Sequence, residues 1–194
     1  KPHLFEVGSK SRIPVSSALF GNPYHLRGYH CSIDSQSFFF VYNQRGHQVL
    51  RVLSVDGFTG DVRTVVEDQS STFIDYAYKQ FSYYLDDESE LIWMSERDGW
   101  NHLYLFDLQS GELKNPITQG DWVVRHVDYV DVSKRQIWFR ASGIYPEQDP
   151  YYLHACRINF DGTGMIVLTE SDGTHTLHYS PDREFLIATH SRVD

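Results

Sequence analysis

The sequence lacks the features that mark a membrane segment, a nucleic-acid-binding surface or a complete serine hydrolase. No apolar run approaches the ~20 residues that a helix needs to cross a bilayer. There is no run of Lys or Arg, and 17 basic against 26 acidic residues give a formal charge of −9, which argues against a nucleic-acid partner. No Gly-x-Ser-x-Gly motif occurs, so the turn that exposes a nucleophilic serine is missing. We therefore expect no membrane span and no catalytic residue in this chain.

The N-terminus carries no targeting signal, and the two cysteines carry no metal-binding pattern. The chain has no initiator Met and no apolar segment of a signal peptide, so we expect it to be part of a longer polypeptide. Its two cysteines, Cys31 and Cys156, have no partner at metal-ligand spacing. We interpret them as two buried free thiols, while a disulfide between them stays open. We expect neither a metal nor a cofactor.

The main feature of the sequence is a repeat of about fifty residues. Aromatic residues make up 15% of the chain, and this richness favours β-structure. Strongly apolar segments recur around Phe39, Ile92, Trp138 and Leu186, at steps of 53, 46 and 48 residues. Each follows a turn rich in Asp and Ser, whose side chains bond the backbone nearby. The repeat therefore places equivalent buried strands in successive units.

Each repeat contains four strand signals. After the apolar strand comes a third strand that ends in an acidic residue and a Gly-containing turn, as in "VLRVLSVDGFTG" from Val49 to Gly60, and Gly supplies the positive φ of tight hairpins. A more polar fourth strand closes the unit. Four antiparallel strands per unit are typical of a β-propeller blade. We predict an all-β fold, a partial β-propeller of about three and a half four-stranded blades with almost no helix.

The blade boundaries follow from the same pattern. Residues 1–28 are interpreted as a preceding connection or the remnant of an earlier blade, and Glu67–Tyr78 as the segment that links two blades. Because an open arc leaves apolar blade faces uncovered, we expect self-association, for example as a homodimer. The predicted blades lie near residues 29–66, 79–118 and 124–169, with a half blade at 175–194.

Two charged clusters could hold a ligand, and both have a simpler interpretation. The segment Leu85–Glu90 carries four carboxylates, but it falls at a turn between strands, so we interpret these groups as solvated rather than as a cation site. His175 and His178 lie three residues apart on a predicted strand, which sends their side chains to opposite faces. We therefore do not expect them to share a metal ion.

Two aromatic or loop features could contribute contacts. Trp100 and Trp122 flank turns and would either pack between blades or line a central cavity. Gly143–Tyr152 forms a long loop between strands, held extended by Pro146 and Pro150. Long loops on a rigid scaffold often carry contacts, so we expect this loop at an interface with another domain or subunit.

Five segments resemble the N-terminal β-propeller region of dipeptidyl peptidase IV-like serine peptidases, of the prolyl oligopeptidase family. They are "YNQRGHQVLRV" (Tyr42–Val52), "SERDGWNHLYLFD" (Ser95–Asp107), "ITQGDWVV" (Ile117–Val124), "DPYYLHACRINFDGTG" (Asp149–Gly164) and "HYSPDREFLIATHSRVD" (His178–Asp194). Their order and spacing carry the resemblance, which extends from about Tyr29 onward.

The resemblance implies an eight-bladed propeller followed by an α/β-hydrolase domain on the same polypeptide, with a Ser-Asp-His triad. The propeller would gate access of short peptides, and a glutamate pair in a propeller insertion would hold the substrate amino terminus. Neither the serine motif nor the glutamate pair has a match here, so no catalytic or amine-anchoring residue is assigned. Enzymes of this type are commonly exported, which suggests the periplasm or cell envelope.

Two other functions stay open on the sequence alone. A stand-alone propeller of the TolB-like or WD-repeat kind would serve as a binding or scaffold module, although no Gly-His…Trp-Asp signature occurs. A propeller glycosidase would need paired carboxylates at equivalent positions of successive blades, and such pairs are not evident.

Overall fold

The computed structural model describes residues 2–192 and shows an all-β chain. In that range the only helical pieces are two 3₁₀ turns, Ala18–Phe20 and Asp86–Glu88. The strands are β1 (Leu4–Glu6), β2 (Ser11–Ile13), β3 (Pro23–Cys31), β4 (Ser37–Gln44), β5 (Val49–Asp56), β6 (Val62–Gln69), β7 (Ser82–Leu85), β8 (Glu90–Ser95), β9 (His102–Asp107), β10 (Leu113–Pro116), β11 (Val123–Asp131), β12 (Gln136–Ser142), β13 (His154–Asn159), β14 (Ile166–Val167), β15 (Thr174–Tyr179) and β16 (Leu186–Ser191).

The strands form three four-stranded sheets in which each strand lies beside the next in sequence. Their orders are β3-β4-β5-β6, β7-β8-β9-β10 and β11-β12-β13-β14, and β1-β2 and β15-β16 form two-stranded sheets. The pairs whose register is defined are antiparallel. This is the strand arrangement of propeller blades, so the prediction of an all-β, partial-propeller fold is confirmed.

The sheets overlap the blade ranges expected from the sequence but differ at their ends. The first sheet spans residues 23–69. Its first strand therefore includes residues 23–28, which the sequence pattern places in the preceding connection. Pro23 begins that strand, a position where proline needs no N–H for the ladder. Residues 67–69 belong to β6, so the irregular link between the first two sheets is confined to residues 70–81.

The chain divides into two compact units. The first contains the residues up to Ile92 together with Phe106–Leu113, and the second contains Trp93–Leu105 and the residues from Lys114 onward. In the first unit, a buried cluster fills the space beside the first sheet, where Phe20 meets Phe40 edge-to-face at 5.3 Å between ring centroids. The cluster comprises Val15, Phe20, Phe40, Tyr42, Leu53 and Val55.

The second strands are buried most deeply, as their apolar runs predict. All five residues from Phe39 to Asn43 and all six of β8 are buried, which requires cover on both faces of the sheet. In β9, the alternating pattern produces no exposed face, because His102 and Tyr104 are as buried as their apolar neighbours. The six residues of β16 are all exposed, although the sequence repeat predicts a strand equivalent to β4 and β8.

Two of the repeat markers, Phe39 and Trp138, occupy the same register position. Phe39 pairs with His30 on β3 and with Ser54 on β5. Trp138 pairs in the same way with Tyr129 on β11 and with Arg157 on β13, whereas Leu186 pairs with Tyr179 and lies one position nearer its turn. The sequence repeat therefore reports a structural equivalence of the first and third sheets.

The turns between first and second strands share an unusual backbone conformation. Ser35, Ser89, Arg135 and Arg183 have φ of 58°, 52°, 50° and 58°, a left-handed conformation that is strained for residues with a Cβ. Each of the four donates its backbone N–H to the carbonyl three residues earlier. The turns therefore repeat in geometry although their residues differ.

The glycine-containing turns between third and fourth strands touch the backbone of an earlier segment. Gly60 has φ of 76°, and a Cβ built there would lie 2.0 Å from the carbonyl oxygen of Pro14. Gly162 has φ of 82°, and its Cβ would lie 3.0 Å from the carbonyl oxygen of Pro116. Glycine thus permits both the turn and the close approach of two backbones.

Candidate functional site

The acidic segment lies at the turn between β7 and β8, as predicted, but it is not simply solvated. Asp86 Oδ1 lies 2.6 Å from His30 Nε2, and the His30 ring stacks on Tyr84 with centroids 4.0 Å apart. Glu90 is only 2% exposed as the first residue of β8. The interpretation of all four carboxylates as solvated is therefore wrong, because β8 carries the end of the segment into the interior.

The two histidines of β15 point to opposite sides, as predicted. His175 is buried and donates from Nε2 to the Ser171 carbonyl oxygen at 2.8 Å, whereas His178 is exposed. In the part of the chain that the structure describes, no group of three His, Cys, Asp or Glu side chains is arranged to hold a metal ion.

The two tryptophans differ in environment. The Trp122 ring meets His102 edge-on at 4.9 Å and stacks against Phe139 at 6.0 Å. Because His102 belongs to the second sheet and Phe139 to the third, Trp122 follows the first alternative and packs between blades. Trp100 stays 42% exposed beside its turn.

The loop Gly143–Tyr152 is anchored to the third sheet. Tyr145 packs edge-on against His154 at 4.9 Å, and Gln148 Oε1 lies 2.9 Å from His154 Nε2. Burial lowers the pKa of His154. Tyr151 is 81% exposed, so the loop presents at least one aromatic ring to solvent, and its interface role stays a prediction.

The two cysteines are both free, but only one is buried. Cys156 is fully buried, and this burial raises the pKa of its thiol to about 12. Cys31 is exposed, so the prediction of two buried thiols is wrong for Cys31. It ends β3, the edge strand of its sheet, where fewer neighbours cover a side chain.

The most distinctive surface in the first unit is a group of rings that we call the aromatic cap: Tyr24, His25, His47, Phe73 and Tyr76. His47 stacks on Tyr76 at 4.4 Å between centroids and meets Tyr24 edge-on at 4.5 Å and Phe73 at 5.5 Å. Tyr24 is 47% and Phe73 53% exposed. The cap therefore offers several ring faces and edges to solvent.

Polar groups fix the aromatic cap in place. Arg27 Nη2 donates to the Tyr76 carbonyl oxygen at 2.9 Å, which ties the irregular segment 70–81 to β3. Burial, then Arg27 and His47, lower the pKa of His25, so its imidazole is neutral at pH 7. His25 Nε2 is buried and has no hydrogen-bond partner within residues 2–192. The cap can therefore stack on a ligand through its exposed rings.

The sequence contained no direct signal for the aromatic cap. Its members come from the start of β3, the turn after β4 and the link 70–81, so they are separated by up to about fifty residues. The one hint was the concentration of aromatic residues in a segment that lacks strand periodicity.

Comparison with known proteins places this fold in a family. Residues 4–194 match the profile of the "Dipeptidyl peptidase IV (DPP IV) N-terminal region". A curated "Probable dipeptidyl peptidase 4" from Aspergillus flavus is 33% identical over 61 residues, or 31% of this chain and 7% of that protein. The crystal structure of Porphyromonas gingivalis dipeptidyl peptidase 4 superposes with a TM-score of 0.74 at 20% identity, covering 97% of this chain and 26% of the solved one. The chain thus spans a small part of both proteins.

No helix in the described residues is both long enough and apolar enough to cross a membrane.

Proposed function

Because the chain belongs to the dipeptidyl peptidase IV N-terminal-region family, we propose that it is a non-catalytic propeller segment of a serine-type dipeptidyl peptidase. The match over residues 4–194 is the observation that carries this proposal. The chain corresponds to 26% of the Porphyromonas gingivalis enzyme, so the catalytic α/β-hydrolase domain would lie elsewhere on the same polypeptide. The propeller segment would gate the access of short peptides to that domain.

The packing of the sheets suits a gating role. Exclusion of folded proteins by size requires a rigid scaffold. The strands β4, β8 and β9 are buried almost throughout. Well-packed interiors have low compressibility. The segment would thus contribute rigid wall rather than chemistry.

The aromatic cap suits contact with a peptide. Partly exposed Tyr24 and Phe73 offer apolar area of the kind that proline and alanine side chains cover. We place the protein in the periplasm or cell envelope as part of the same proposal, since enzymes of this type act on peptides outside the cytoplasm.

Dipeptidyl-p-nitroanilide turnover tests the proposal. The full-length protein should release p-nitroaniline from a Gly-Pro substrate, and the isolated chain should not. Replacing Phe73→Ala should raise KM several-fold with little change in kcat, because an open ring that contacts only the bound peptide contributes to binding rather than to the chemical step.

Tyr78→Ala provides the matched control, since Tyr78 is 86% exposed in the same link but is not part of the aromatic cap. A full-length protein without turnover would contradict the peptidase assignment and favour a scaffold propeller. Equal KM values for the two variants would contradict the role of the cap.

A further inference from the structure

A polar cavity of about 250 Å³ lies in the second unit and is lined by Arg157 and Arg183, each of which has one side-chain nitrogen without a hydrogen-bond partner in residues 2–192. It is bounded on one side by the row of the third sheet in which Tyr129, Trp138 and Arg157 pair across neighbouring strands. The turn Pro181–Glu184 bounds it on the other side and contributes Arg183. We call it the arginine cavity.

Aromatic rings hold both arginines in place. The Arg183 guanidinium carbon lies 3.9 Å from the Tyr129 ring centroid and 4.8 Å from that of Tyr179. The Arg157 guanidinium carbon lies 5.6 Å from the centroid of Trp138. Such contacts favour the charged group over the ring face, and they use the face of the guanidinium rather than the N–H donors at its edge.

Donors of both arginines are buried without an acceptor. Arg157 Nε and Arg183 Nη1 are inaccessible to solvent and have no hydrogen-bond partner within residues 2–192. An arginine keeps its proton in proteins, so each of these atoms stays a donor. Because buried donors are nearly always paired, two such atoms on residues that line one cavity make it a candidate site for an acceptor.

Two of the three carboxylates that line the cavity, those of Asp131 and Asp182, are already engaged in their own turns. Asp131 Oδ1 accepts from Ser133 Oγ at 2.7 Å and from the Lys134 backbone N–H at 3.0 Å. Asp182 Oδ1 accepts from Ser180 Oγ and from the Glu184 backbone N–H at 3.1 Å.

Elsewhere in the same sheet, an arginine does receive a complete partner. Arg140 reaches both oxygens of Asp128, at 2.7 and 3.1 Å. The contrast shows that the third sheet supplies a carboxylate to one arginine and leaves Arg157 and Arg183 to an acceptor from outside.

We propose that the arginine cavity binds a carboxylate carried on an apolar or aromatic group. The lining balances three cations, Lys134, Arg157 and Arg183, against three carboxylates, so a single negative charge suits it better than a phosphate dianion. Tyr129 and Trp138 supply the apolar walls for the rest of the ligand. This site is separate from the aromatic cap and does not depend on the peptidase assignment.

Benzoate binding to the full-length protein tests the proposal, with the neutral isostere benzamide and inorganic phosphate as comparison probes. Saturation-transfer NMR should show saturable benzoate binding in the millimolar range, at least ten-fold weaker benzamide binding, and no displacement of benzoate by equimolar phosphate. Arg157→Gln and Arg183→Gln should each weaken benzoate binding at least ten-fold, because each removes a charge-assisted donor.

Arg135→Gln is the matched control. Arg135 occupies the same left-handed turn position as Arg183 and its guanidinium carbon lies 4.8 Å from the Phe160 ring centroid, but it does not line the cavity. Thermal melting of each variant identifies loss of folding, and Arg183→Lys, which keeps the charge but loses the planar fork, should bind benzoate with intermediate affinity if the arginine cavity is the site.

Three outcomes would overturn the proposal: no saturable benzoate binding, equal affinities for benzoate and benzamide, or equal loss in Arg135→Gln and Arg183→Gln. A crystal soaked in benzoate that shows only water at Arg157 Nε and Arg183 Nη1 would overturn it as well.

Discussion

The first sheet, β3–β6, and the third, β11–β14, share strand order and turn geometry but differ in how several of their arginines are held. In the first sheet, arginines reach out to carbonyl oxygens of loops: Arg27 to Tyr76 at 2.9 Å, Arg51 to Leu19 at 2.8 Å and Arg63 to Leu108. At the third sheet, Arg157 and Arg183 rest on aromatic rings and keep unpaired donors.

The difference shows how one repeat can serve two purposes. A guanidinium bonded to a carbonyl oxygen ties a loop to the sheet and directs that N–H donor to the protein rather than to a ligand. A guanidinium held by ring faces is fixed in place, and its edge remains free to bind. Repetition of the strand pattern therefore does not imply repetition of the role, which depends on side chains outside the core.

The largest expected difference between the two sheets is in the free energy of unfolding that each loses when its turn glycine is replaced. Gly60→Ala would place a Cβ 2.0 Å from a carbonyl oxygen of rigid backbone at a φ of 76°, and should lower the free energy of unfolding by about 3 kcal/mol or more. Gly162→Ala, with 3.0 Å to the nearest backbone oxygen, should cost about 1–2 kcal/mol. Urea unfolding followed by circular dichroism measures both.

Gly99→Ala serves as the control for backbone strain alone, because Gly99 has φ of 99° with open space around its Cβ position. If Gly60→Ala destabilised no more than Gly99→Ala, the close approach of the two backbones at Gly60 would be ruled out.

Replacing one arginine in each sheet tests their different treatment directly. Arg63→Met removes the bond to the Leu108 carbonyl oxygen and should reduce stability by about 1–3 kcal/mol. Arg157→Met keeps an apolar stem against Trp138 and removes a buried donor without a partner, so the change should lie within about 0.5 kcal/mol of zero or be stabilising. Equal destabilisation in urea unfolding would contradict the comparison.

The cysteines should give an effect that is absent at neutral pH and is seen only at high pH. Burial raises the pKa of Cys156 to about 12, above the value of about 8.5 in an unfolded chain. The stabilisation from the neutral thiol is therefore fully present below about pH 8.5 and is lost as pH rises towards the folded-state pKa, at up to about 1.4 kcal/mol per pH unit.

Unfolding free energies measured from pH 8 to 10 should fall less steeply in Cys156→Ala than in the parent protein. Iodoacetamide applied to the native protein should label exposed Cys31 and leave Cys156 unmodified until denaturant is added. Labelling of both thiols in the native state would show that the reagent reaches Cys156 in the third sheet, and would contradict the burial of this thiol.

The strand framework was predictable because it rests on short-range chemistry. Apolar runs around Phe39 and Ile92 mark strands covered on both faces, the run around Trp138 marks a strand that alternates between buried and half-buried residues, and Asp and Gly mark the turns. The same reasoning gave the opposite orientations of His175 and His178, which depend only on the alternation of a strand.

The surfaces that bind were not predictable because they depend on contacts between distant residues. Tyr24, His47 and Tyr76 meet only when three separate segments fold together. Ser35 and Arg183 occupy turn positions with a left-handed backbone, where glycine is the usual residue. Neither serine nor arginine predicts such a backbone conformation. The burial of Glu90 and the exposure of Cys31 follow from which strand lies at a sheet edge, which composition does not encode.

The close approach at Gly60 and Gly162 also indicates where the polypeptide tolerates engineering. Backbones that leave no room for a methyl group leave none for an inserted residue, so a tag or reporter domain placed in 56–61 or 159–164 would push strands apart. The link 70–81 is held by Arg27 and by backbone hydrogen bonds from Ser70 to Gln48 and from Ile74 to His47, and insertion there would also disturb the aromatic cap. The tip of the loop at Tyr151, 81% exposed, is therefore the position at which an affinity tag or a fluorescent label would least perturb the sheets.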